Sequence, residues 1–167
     1  MRKDISIAFF LTLIMLAAGM EARAEGVTGD GVYLRMKTDG TLLTFAPLKS
    51  WNREGYWLEF QNNGDFRRQL SFDNDRLHGI AKGYYPDRTL FFERHFKNGL
   101  LDGPSRKYHP NGQLKVEMHY ADNVPVGLAR LYDINGELMQ VNHYRAGDLK
   151  TIRMYAGGMM IKEIVYK

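Results

Sequence analysis

Three histidines recur at intervals of 24 residues, and a glutamate stands two positions before each of the first two. His95, His119 and His143 form the series, with Glu93 and Glu117 beside them. Imidazole and carboxylate groups together could bind zinc, or an imidazole could titrate near pH 6 as a pH sensor. Which chemistry applies depends on the elements that carry these residues, because side chains at i and i+2 share a face on a β-strand.

The same interval of 24 residues runs through most of the chain. The aligned columns are Gly55, Gly79, Gly103 and Gly127; Phe60, Tyr84, Tyr108 and Tyr132; and Phe72, Phe96, Tyr120 and Tyr144. A fixed period of this length is typical of repeat architectures. We predict about five repeats, near residues 36–59, 60–83, 84–107, 108–131 and 132–154, with a partial repeat at 155–167.

Each repeat is predicted to be one β-hairpin. Residues 114–120 alternate strictly between apolar and polar side chains, which is typical of a half-buried antiparallel strand. Asn111-Gly112 favours a type I′ turn, whereas Asp87-Arg88 departs from this pattern and predicts a turn that is looser or of another type. Residues 122–127 are predicted to form a return loop. The predicted fold is therefore all-β, an open antiparallel meander of stacked β-hairpin repeats with roughly ten strands.

This architecture argues against a shared metal site at the histidines. Equivalent residues of successive hairpins are two strand spacings apart, roughly 9.5 Å. Ligands of one zinc ion lie only about 3–4 Å from each other. We therefore interpret the histidines as part of a polar outer face on which glutamates screen them, and a pH-sensing role remains an alternative.

The sequence contains no recognisable catalytic constellation. Ser71 and Ser105 lack a G-x-S-x-G setting, and the chain has no H-E-x-x-H, phosphate-loop or dinucleotide fingerprint. Asp73 and Asp75 fall in a loop that the repeat explains, and the chain has no cysteine. We predict no catalytic residue, no cofactor and no metal, and hence a protein that acts by binding.

Aromatic residues are the candidates for an interaction surface. The six candidates are Trp51, Tyr56, Trp57, Phe91, Tyr108 and Tyr132. Tyr108 and Tyr132 could stack on sugars, although their recurrence is also what hairpin packing requires. Trp51, Tyr56 and Trp57 could either cap the open end of the sheet or form a contact patch. Phe91 is an apolar side chain on the predicted polar face and so a candidate contact.

The first 24 residues are predicted to be a secretory signal peptide. Arg2 and Lys3 precede an uncharged stretch of 14 residues at 5–18, and the small-x-small pattern at 22–24 predicts cleavage after Ala24. An uncleaved anchor is the alternative. The remaining domain, residues 25–167, is predicted to be periplasmic or secreted and not an integral membrane protein. Removal of three basic and two acidic residues lowers the net charge from +4 to +3, which does not indicate a nucleic-acid partner.

One repeat resembles a known family motif. The matching residues are Tyr108, Asn111, Gly112, Leu114, Glu117, Tyr120 and Gly127. They resemble the MORN-repeat variant of bacteria, and the next repeat departs from it with Val141 in the glutamate position. The resemblance implies a hairpin repeat module that binds proteins, serves as a scaffold or binds lipid. Bacterial members are often labelled antitoxins or immunity proteins.

The predicted function is therefore that of an exported, non-enzymatic module that binds a protein partner. The resemblance implies a toxin as the most specific version of that partner. The alternative is a module that binds glycan or cell wall through its tyrosine columns. Retention of a protein partner favours the first, and sedimentation with peptidoglycan favours the second.

Overall fold

The chain folds into a single sheet of antiparallel strands. The computed structural model describes residues 21–25 and 30–167. The fifteen strands in these residues are β1 (Glu21–Glu25), β2 (Gly31–Met36), β3 (Leu42–Lys49), β4 (Asn52–Arg53), β5 (Gly55–Phe60), β6 (Phe66–Asp73), β7 (Arg76–Leu77), β8 (Gly79–Tyr84), β9 (Leu90–Lys97), β10 (Leu100–Tyr108), β11 (Leu114–Ala121), β12 (Val124–Tyr132), β13 (Leu138–Arg145), β14 (Asp148–Ala156) and β15 (Met159–Val165).

Strand order in the sheet follows the order of the chain. Each strand pairs with its sequence neighbours, except that the short strands β4 and β7 pair with β3 and β6 beside the main path. The sheet is open and contains no helix within the described residues, which confirms the predicted meander of hairpins. The described residues form fifteen strands where roughly ten were expected, because the degenerate first repeats add β1 to β3 and the short strands β4 and β7 are separate. None of the described residues forms a helix with the length and apolarity that a membrane span requires.

Residues 1–20 of the predicted signal peptide lie outside the described residues. Its last part falls in β1, which pairs with β2 through contacts such as Ala24 opposite Val32. The predicted cleavage after Ala24 would remove nearly all of β1 and leave β2 at the edge of the sheet.

The Asn-Gly turns differ from the predicted type I′ geometry. The amide of Gly112 donates to the His109 carbonyl at 2.9 Å, and the amide of His109 donates to the Gln113 carbonyl at 2.8 Å. Of Asn111 and Gly112, only the glycine has positive φ, at 83°. This is a type I turn followed by a left-handed glycine bulge, so the type I′ prediction is wrong at this end of the hairpin.

Arg88 adopts the same left-handed conformation as the turn glycines, with φ at 70°. Its amide donates to the Tyr85 carbonyl at 2.9 Å, as in the Asn-Gly turns. The Asp87 carboxylate accepts the Thr89 amide at 2.9 Å. The prediction of a looser turn at Asp87-Arg88 is therefore wrong, because an Asx hydrogen bond holds the loop in spite of the non-glycine residue.

Type I′ turns occur instead where one hairpin returns to the next. Asp122 and Asn123 both have positive φ, at 48° and 69°. They alone separate β11 from β12, since Ala121 pairs directly with Val124. The predicted return loop at 122–127 is thus wrong, because a two-residue turn suffices and Gly127, with φ at 70°, forms a bulge inside the strand.

Cross-strand pairing defines two faces of the sheet. One row of directly opposed residues runs through Glu59, Arg68, Gly83, Phe92 and Lys107, and the next parallel row on that side contains Trp57. We call this side the aromatic face. The opposite side is called the ladder face and is defined by the row Lys82, Glu93, Arg106, Glu117 and Arg130. Directly opposed residues lie on the same face of a sheet.

Most of the buried residues are small, although Phe72 and Val141 are buried as well. Ala81, Ser105 and Ala129 lie 24 residues apart on the aromatic face and are only 2%, 7% and 3% exposed. Larger neighbours cover them, for example Arg94 opposite Ala81 and Met118 opposite Ser105. No large side chain among the described residues is fully buried. Within the part of the chain that the structure describes, the sheet is therefore a single layer with no second layer over its aromatic face.

Candidate functional site

An alternating row of charges crosses the ladder face. Lys82 Nζ lies 3.1 Å from Glu93 Oε2, and Arg106 lies 3.6 Å from Glu93 and 2.9 Å from Glu117. The hydrogen bond to Glu93 raises the pKa of Lys82, and the hydrogen bond to Glu117 raises the pKa of Arg106. Lys82, Glu93, Arg106 and Glu117 thus each have a partner of opposite sign, so this part of the row is a mixed-charge strip.

The three histidines of the 24-residue series lie on β9, β11 and β13, with β10 and β12 between them. His95 Nδ1 lies 3.0 Å from the Pro104 carbonyl oxygen. His119 is paired with Pro104 and Val126. In the part of the chain that the structure describes, no three histidine, aspartate or glutamate side chains converge in a way that could hold a metal ion.

The structure does not bring the six aromatic candidates together on one surface. Trp51 lies in the return turn before β4, with φ at 71°, and is 51% exposed. Tyr56 lies on the ladder face opposite Ser71 and is 58% exposed. Phe91 also lies on the ladder face and packs against the Tyr85 ring at 4.9 Å between centroids.

Trp57 lies inside the sheet, on the opposite face from Tyr56. Its ring stacks on Tyr33 at 5.7 Å between centroids and contacts Phe72 at 5.8 Å. The Arg53 guanidinium lies over the Phe72 ring at 4.2 Å and near the Trp57 ring at 5.3 Å. The Nε1 atom of Trp57 is buried without a hydrogen-bond partner among the described residues. Trp57 is therefore part of a packed aromatic cluster and does not cap the open end of the sheet.

Tyr108 and Tyr132 are half-buried at the Asn-Gly end of their strands. Their backbone carbonyls accept side-chain hydrogen bonds from the preceding repeat: Tyr85 Oη donates to the Tyr108 carbonyl at 2.9 Å, and His109 Nε2 lies 3.1 Å from the Tyr132 carbonyl. The first residue of each turn, Tyr85 or His109, thus hydrogen-bonds its hairpin to the next one at this end of the strands.

A second tie joins successive hairpins at the return turns. The Asn123 amide donates to the Leu101 carbonyl at 2.8 Å, and the Leu101 amide donates to Asn123 Oδ1 at 2.7 Å. Asp75 lies two repeats before Asn123 and makes the same two hydrogen bonds with Arg53. The Asp75 amide donates to the Arg53 carbonyl at 3.1 Å, and the Arg53 amide donates to Asp75 Oδ1 at 2.9 Å. Gly99, in the repeat between them, keeps the backbone bond, to Leu77 at 2.7 Å, but lacks a side chain for the other.

Two hollows adjoin Trp57 on the aromatic face, with volumes of about 700 and 520 Å³. Both are lined by Trp57, Glu59 and Arg68, so they form one trough, which we call the arginine trough. Its cationic lining residues are all arginines: Arg35, Arg53, Arg67, Arg68 and Arg76. Its acidic ones are Glu59 and Asp75.

Sequence reasoning missed both the row of charges and the arginine trough. Lys82, Arg106 and Arg130 are 24 residues apart, as are Glu93 and Glu117, so the row could have been found from the repeat columns. The trough carries no such signal. Its arginines fall in the degenerate first repeats and come together only through the pairing of β2, β3, β5 and β6 and of the short strands β4 and β7 beside them.

This protein is a β-hairpin repeat protein. Its 24-residue hairpins form one open sheet, and hydrogen bonds between successive hairpins join them at the strand ends. The MORN repeat variant family matches residues 77–98 and 101–122, which are two adjacent hairpin repeats. These two repeats thus match MORN repeats of the variant type, which confirms the predicted resemblance over residues 77–98 and 101–122.

Other comparisons add no functional argument. No curated protein sequence matches the chain. Among solved structures, the chain is similar to a mutant of S. aureus TarM in complex with fondaparinux, alpha-GlcNAc-glycerol and UDP, at 12% identity and a TM-score of 0.41, over 64% of this chain and 21% of that one. A second TarM structure aligns at 13% identity and a TM-score of 0.40, over 65% of this chain and 22% of that one. TM-scores this low carry no argument about function, and the chain spans only about a fifth of TarM.

Proposed function

We propose that this protein is an exported, non-catalytic module that binds another protein through one face of its sheet. The observation that carries the proposal is the uncovered aromatic face. Most stable sheets bury an apolar face against a second layer of structure. Here Phe92, Val116 and Tyr120 on the aromatic face are only half-buried. Apolar side chains left partly exposed on such a face favour a role in binding.

A toxin-neutralising or immunity role is the most specific form of the proposal. The hydrogen bonds that join successive hairpins at both ends of the strands support it. They preorganise the surface, and a preorganised surface loses little conformational entropy on binding. Neutralisation would then occur by occlusion, in which a wide sheet covers the active site of its partner. Export to the periplasm or the medium remains part of the proposal and follows from the predicted signal peptide.

The experiment is site-specific photo-crosslinking in the native host. A photoreactive residue replaces Tyr120 on the aromatic face, and a matched variant carries it at Lys115 on the ladder face. We expect one protein to be captured from Tyr120 and not from Lys115, and the purified pair to form a complex of defined stoichiometry. Absence of any complex between purified components would contradict the proposal.

A second candidate function is binding of cell-wall glycan. The observation in its favour is the aromatic row Phe60, Tyr84, Tyr108 and Tyr132 at the Asn-Gly end of the sheet. This hypothesis predicts sedimentation with purified peptidoglycan that is lost in the Tyr108→Ala, Tyr132→Ala double variant and kept when both become Phe. Equal sedimentation of all three proteins, or of none, would exclude it.

A further inference from the structure

We propose that the free edge of β15 pairs with the β15 edge of a second copy of this chain, which gives a two-fold symmetric dimer with one continuous sheet. The inference goes beyond the proposed function and does not depend on it. β15 is the last strand of the sheet and pairs with β14 alone among the described residues. Its other edge therefore presents backbone amides and carbonyls to which another strand can bind.

The side chains of β15 leave this edge apolar and exposed. Met159, Ile161 and Val165 are the three most exposed large apolar side chains of the described residues, at 73%, 66% and 69%. Tyr166, directly after the strand, is exposed as well. Edge strands are usually protected from pairing by charged residues or proline, whereas β15 contains one lysine, one glutamate and no proline. We therefore expect this edge to be covered by another strand.

The direction of the strands favours a second copy that binds through the same edge. Thirteen strands form the main path of the sheet, and each pairs antiparallel with the next, so β1 and β15 run in the same direction. Head-to-tail stacking would join β15 to β1 in a parallel pair, which is slightly less stable per residue. β1 also has a charged residue at every second position (Glu21, Arg23 and Glu25), as protected edges do. Two β15 strands related by a two-fold axis pair antiparallel, and this arrangement closes after two copies.

The charges and the bulge of β15 limit the register of such a pair. A two-fold axis normal to the sheet places one residue of β15 opposite its own copy. With Lys162 or Glu163 on the axis, two like charges would lie directly opposite each other, which is unfavourable. With Ile161 on the axis, the bulge that this residue forms in the ladder with β14 would interrupt the centre of the pair. Pairing before the bulge would involve two residues only, so the axis passes at Ile164 or Val165.

The match between opposed side chains is better with Val165 on the axis. Val165 then packs against its own copy, and Ile164 lies opposite Tyr166, so apolar side chains meet on both faces of the sheet. Glu163 of each copy lies opposite Lys167 of the other, which adds two pairs of opposite charge. With Ile164 on the axis, Glu163 would lie opposite Val165 and these charge pairs would be lost.

The backbone of β15 is oriented for this register. The Tyr166 amide donates to the Lys150 carbonyl at 2.9 Å, so the amides of even-numbered residues here point towards β14. The amides of Glu163, Val165 and Lys167 therefore point to the free edge. Val165 can exchange two hydrogen bonds with its copy, and each pair of Glu163 and Lys167 can exchange two more.

The dimer has a consequence for the sheet surface. A two-fold axis normal to the sheet leaves the aromatic faces of both copies on the same side, so the dimer presents that face twice. A short strand pair buries less than the roughly 1,600 Å² of a standard interface, so we expect a weak dimer with a dissociation constant on the order of 10 µM.

Sedimentation analysis of the purified protein over a range of concentrations measures this equilibrium. Lys167→Glu places two acids opposite each other and should weaken the dimer about tenfold, more at low salt than at high salt. Adding Glu163→Lys to the same chain should restore dimerisation, because the charges are opposite again. The first change is made at Lys167 because Glu163 also pairs with Arg153 of its own chain, at 2.7 Å. The matched control, Lys115→Glu, makes the same charge change at an exposed position far from the edge and should leave the dimer within about twofold.

Disulfide trapping tests the axis directly, because the chain has no cysteine. In Val165→Cys the two Cα atoms of the dimer are expected about 5.5 Å apart, which is within the range of a disulfide. Thr151→Cys is the matched control, since Thr151 lies opposite Val165 on β14. Its two copies would be three strand spacings apart, roughly 14 Å, and should not link. Circular dichroism and thermal melting establish that every variant is folded.

Four results would overturn the inference. A protein that stays monomeric up to about 200 µM, twenty times the expected constant, would exclude the dimer. A dimer that Lys167→Glu leaves unchanged, or equal linking of the two cysteine variants, would place the contact elsewhere. Growth into filaments would show head-to-tail stacking onto the N-terminal edge. Linking of Val165→Cys to a different protein in host extract, and not to its own copy, would assign the edge to that protein.

Discussion

Arg88 occupies a backbone position that glycine takes in four other turns. Gly40, Gly64, Gly112 and Gly136 have φ between 83° and 87°, and Arg88 has φ at 70°. A side chain in this left-handed region costs roughly 1 kcal/mol or more, which glycine avoids. The Arg88 guanidinium lies 3.4 Å from an Asp65 carboxylate oxygen, but it is 74% exposed, so this ion pair contributes little.

We therefore expect Arg88→Gly to raise the free energy of unfolding by about 1 kcal/mol. Urea unfolding followed by circular dichroism measures the change. The reciprocal variant, Gly112→Arg, should lower stability by a similar amount, because the matching position then carries the strain. A loss of stability in Arg88→Gly would show that the Asp65 contact matters more than the backbone conformation.

The Asp75 carboxylate contacts Arg53 through an ion pair as well as through hydrogen bonds. Hydrogen bonds from the backbone and side chain of Arg53 lower the pKa of Asp75 below its ordinary value of 3.8. A carboxyl group with a lowered folded-state pKa stabilises the fold above its unfolded pKa, and this contribution is lost as pH falls through the folded value. Asn123 shows that an asparagine amide can make the same backbone bonds at this position.

Asp75→Asn should therefore reduce the melting temperature at neutral pH and have a progressively smaller effect as pH falls below about 4. Thermal melts of parent and variant at a series of pH values test this. The Asp73→Asn variant is the control, because Asp73 is exposed in the same region and lacks the Arg53 contacts. A melting difference that stays constant down to the acid limit would refute the ionic contribution.

At the scale of elements, the pairing of a glycine with an aromatic ring sets how β8 and β9 pack. Gly83 lies opposite Phe92, and a Cβ atom at Gly83 would stand 2.3 Å from the Phe92 ring. Gly83 is not among the glycines with positive φ, so only the lack of space disfavours a side chain there. The Phe92 ring lies over the bare backbone, with Arg94 above it at 4.9 Å.

Gly83→Ala should destabilise the protein by about 1–3 kcal/mol, because the Phe92 ring must leave its position. Chemical denaturation measures the loss. Adding Phe92→Leu to the same chain should recover part of it, since a smaller side chain gives room to the new methyl group. Additive losses in the double variant would show that the two residues do not interact.

The sequence predicted strand content and repeat length well because both depend on local pattern. Alternation at 114–120 and glycine at fixed intervals are properties of single hairpins. Turn geometry was predicted less well, because Asn-Gly suits two turn types and the bulge at Gly112 depends on how the flanking strands pair. Tyr56 and Trp57 were grouped in one cap or contact patch, yet they are adjacent in sequence and point to opposite faces. Contacts between degenerate repeats, such as the arginine trough, leave no periodic signal.

At the scale of the whole molecule, a single-layer sheet has an unusual pattern of cooperation. Each hairpin contacts only the hairpins beside it, since no second layer links distant strands within the described residues. Stability is then a sum of terms for each repeat and for each boundary between neighbours. The tie between Asn123 and Leu101 is one such boundary term, at 2.8 and 2.7 Å.

Asn123→Ala should therefore weaken the sheet locally and not as a whole. It removes the acceptor for the Leu101 amide and places alanine at a φ of 69°, so we expect a loss of about 1–2 kcal/mol. Hydrogen–deuterium exchange should accelerate in β10, β11 and β12, while β3 and β5 keep their protection. Gly99→Asn is the reciprocal variant. Gly99 has φ at 89°, and no atom lies within 4 Å of its Cβ position, so there is room for a side chain. An asparagine there can accept a hydrogen bond from the Leu77 amide and should slow hydrogen exchange nearby. Uniform acceleration over the whole sheet in Asn123→Ala would mean that the repeats unfold as one unit, and that the rigidity required for binding does not arise from neighbouring hairpins alone.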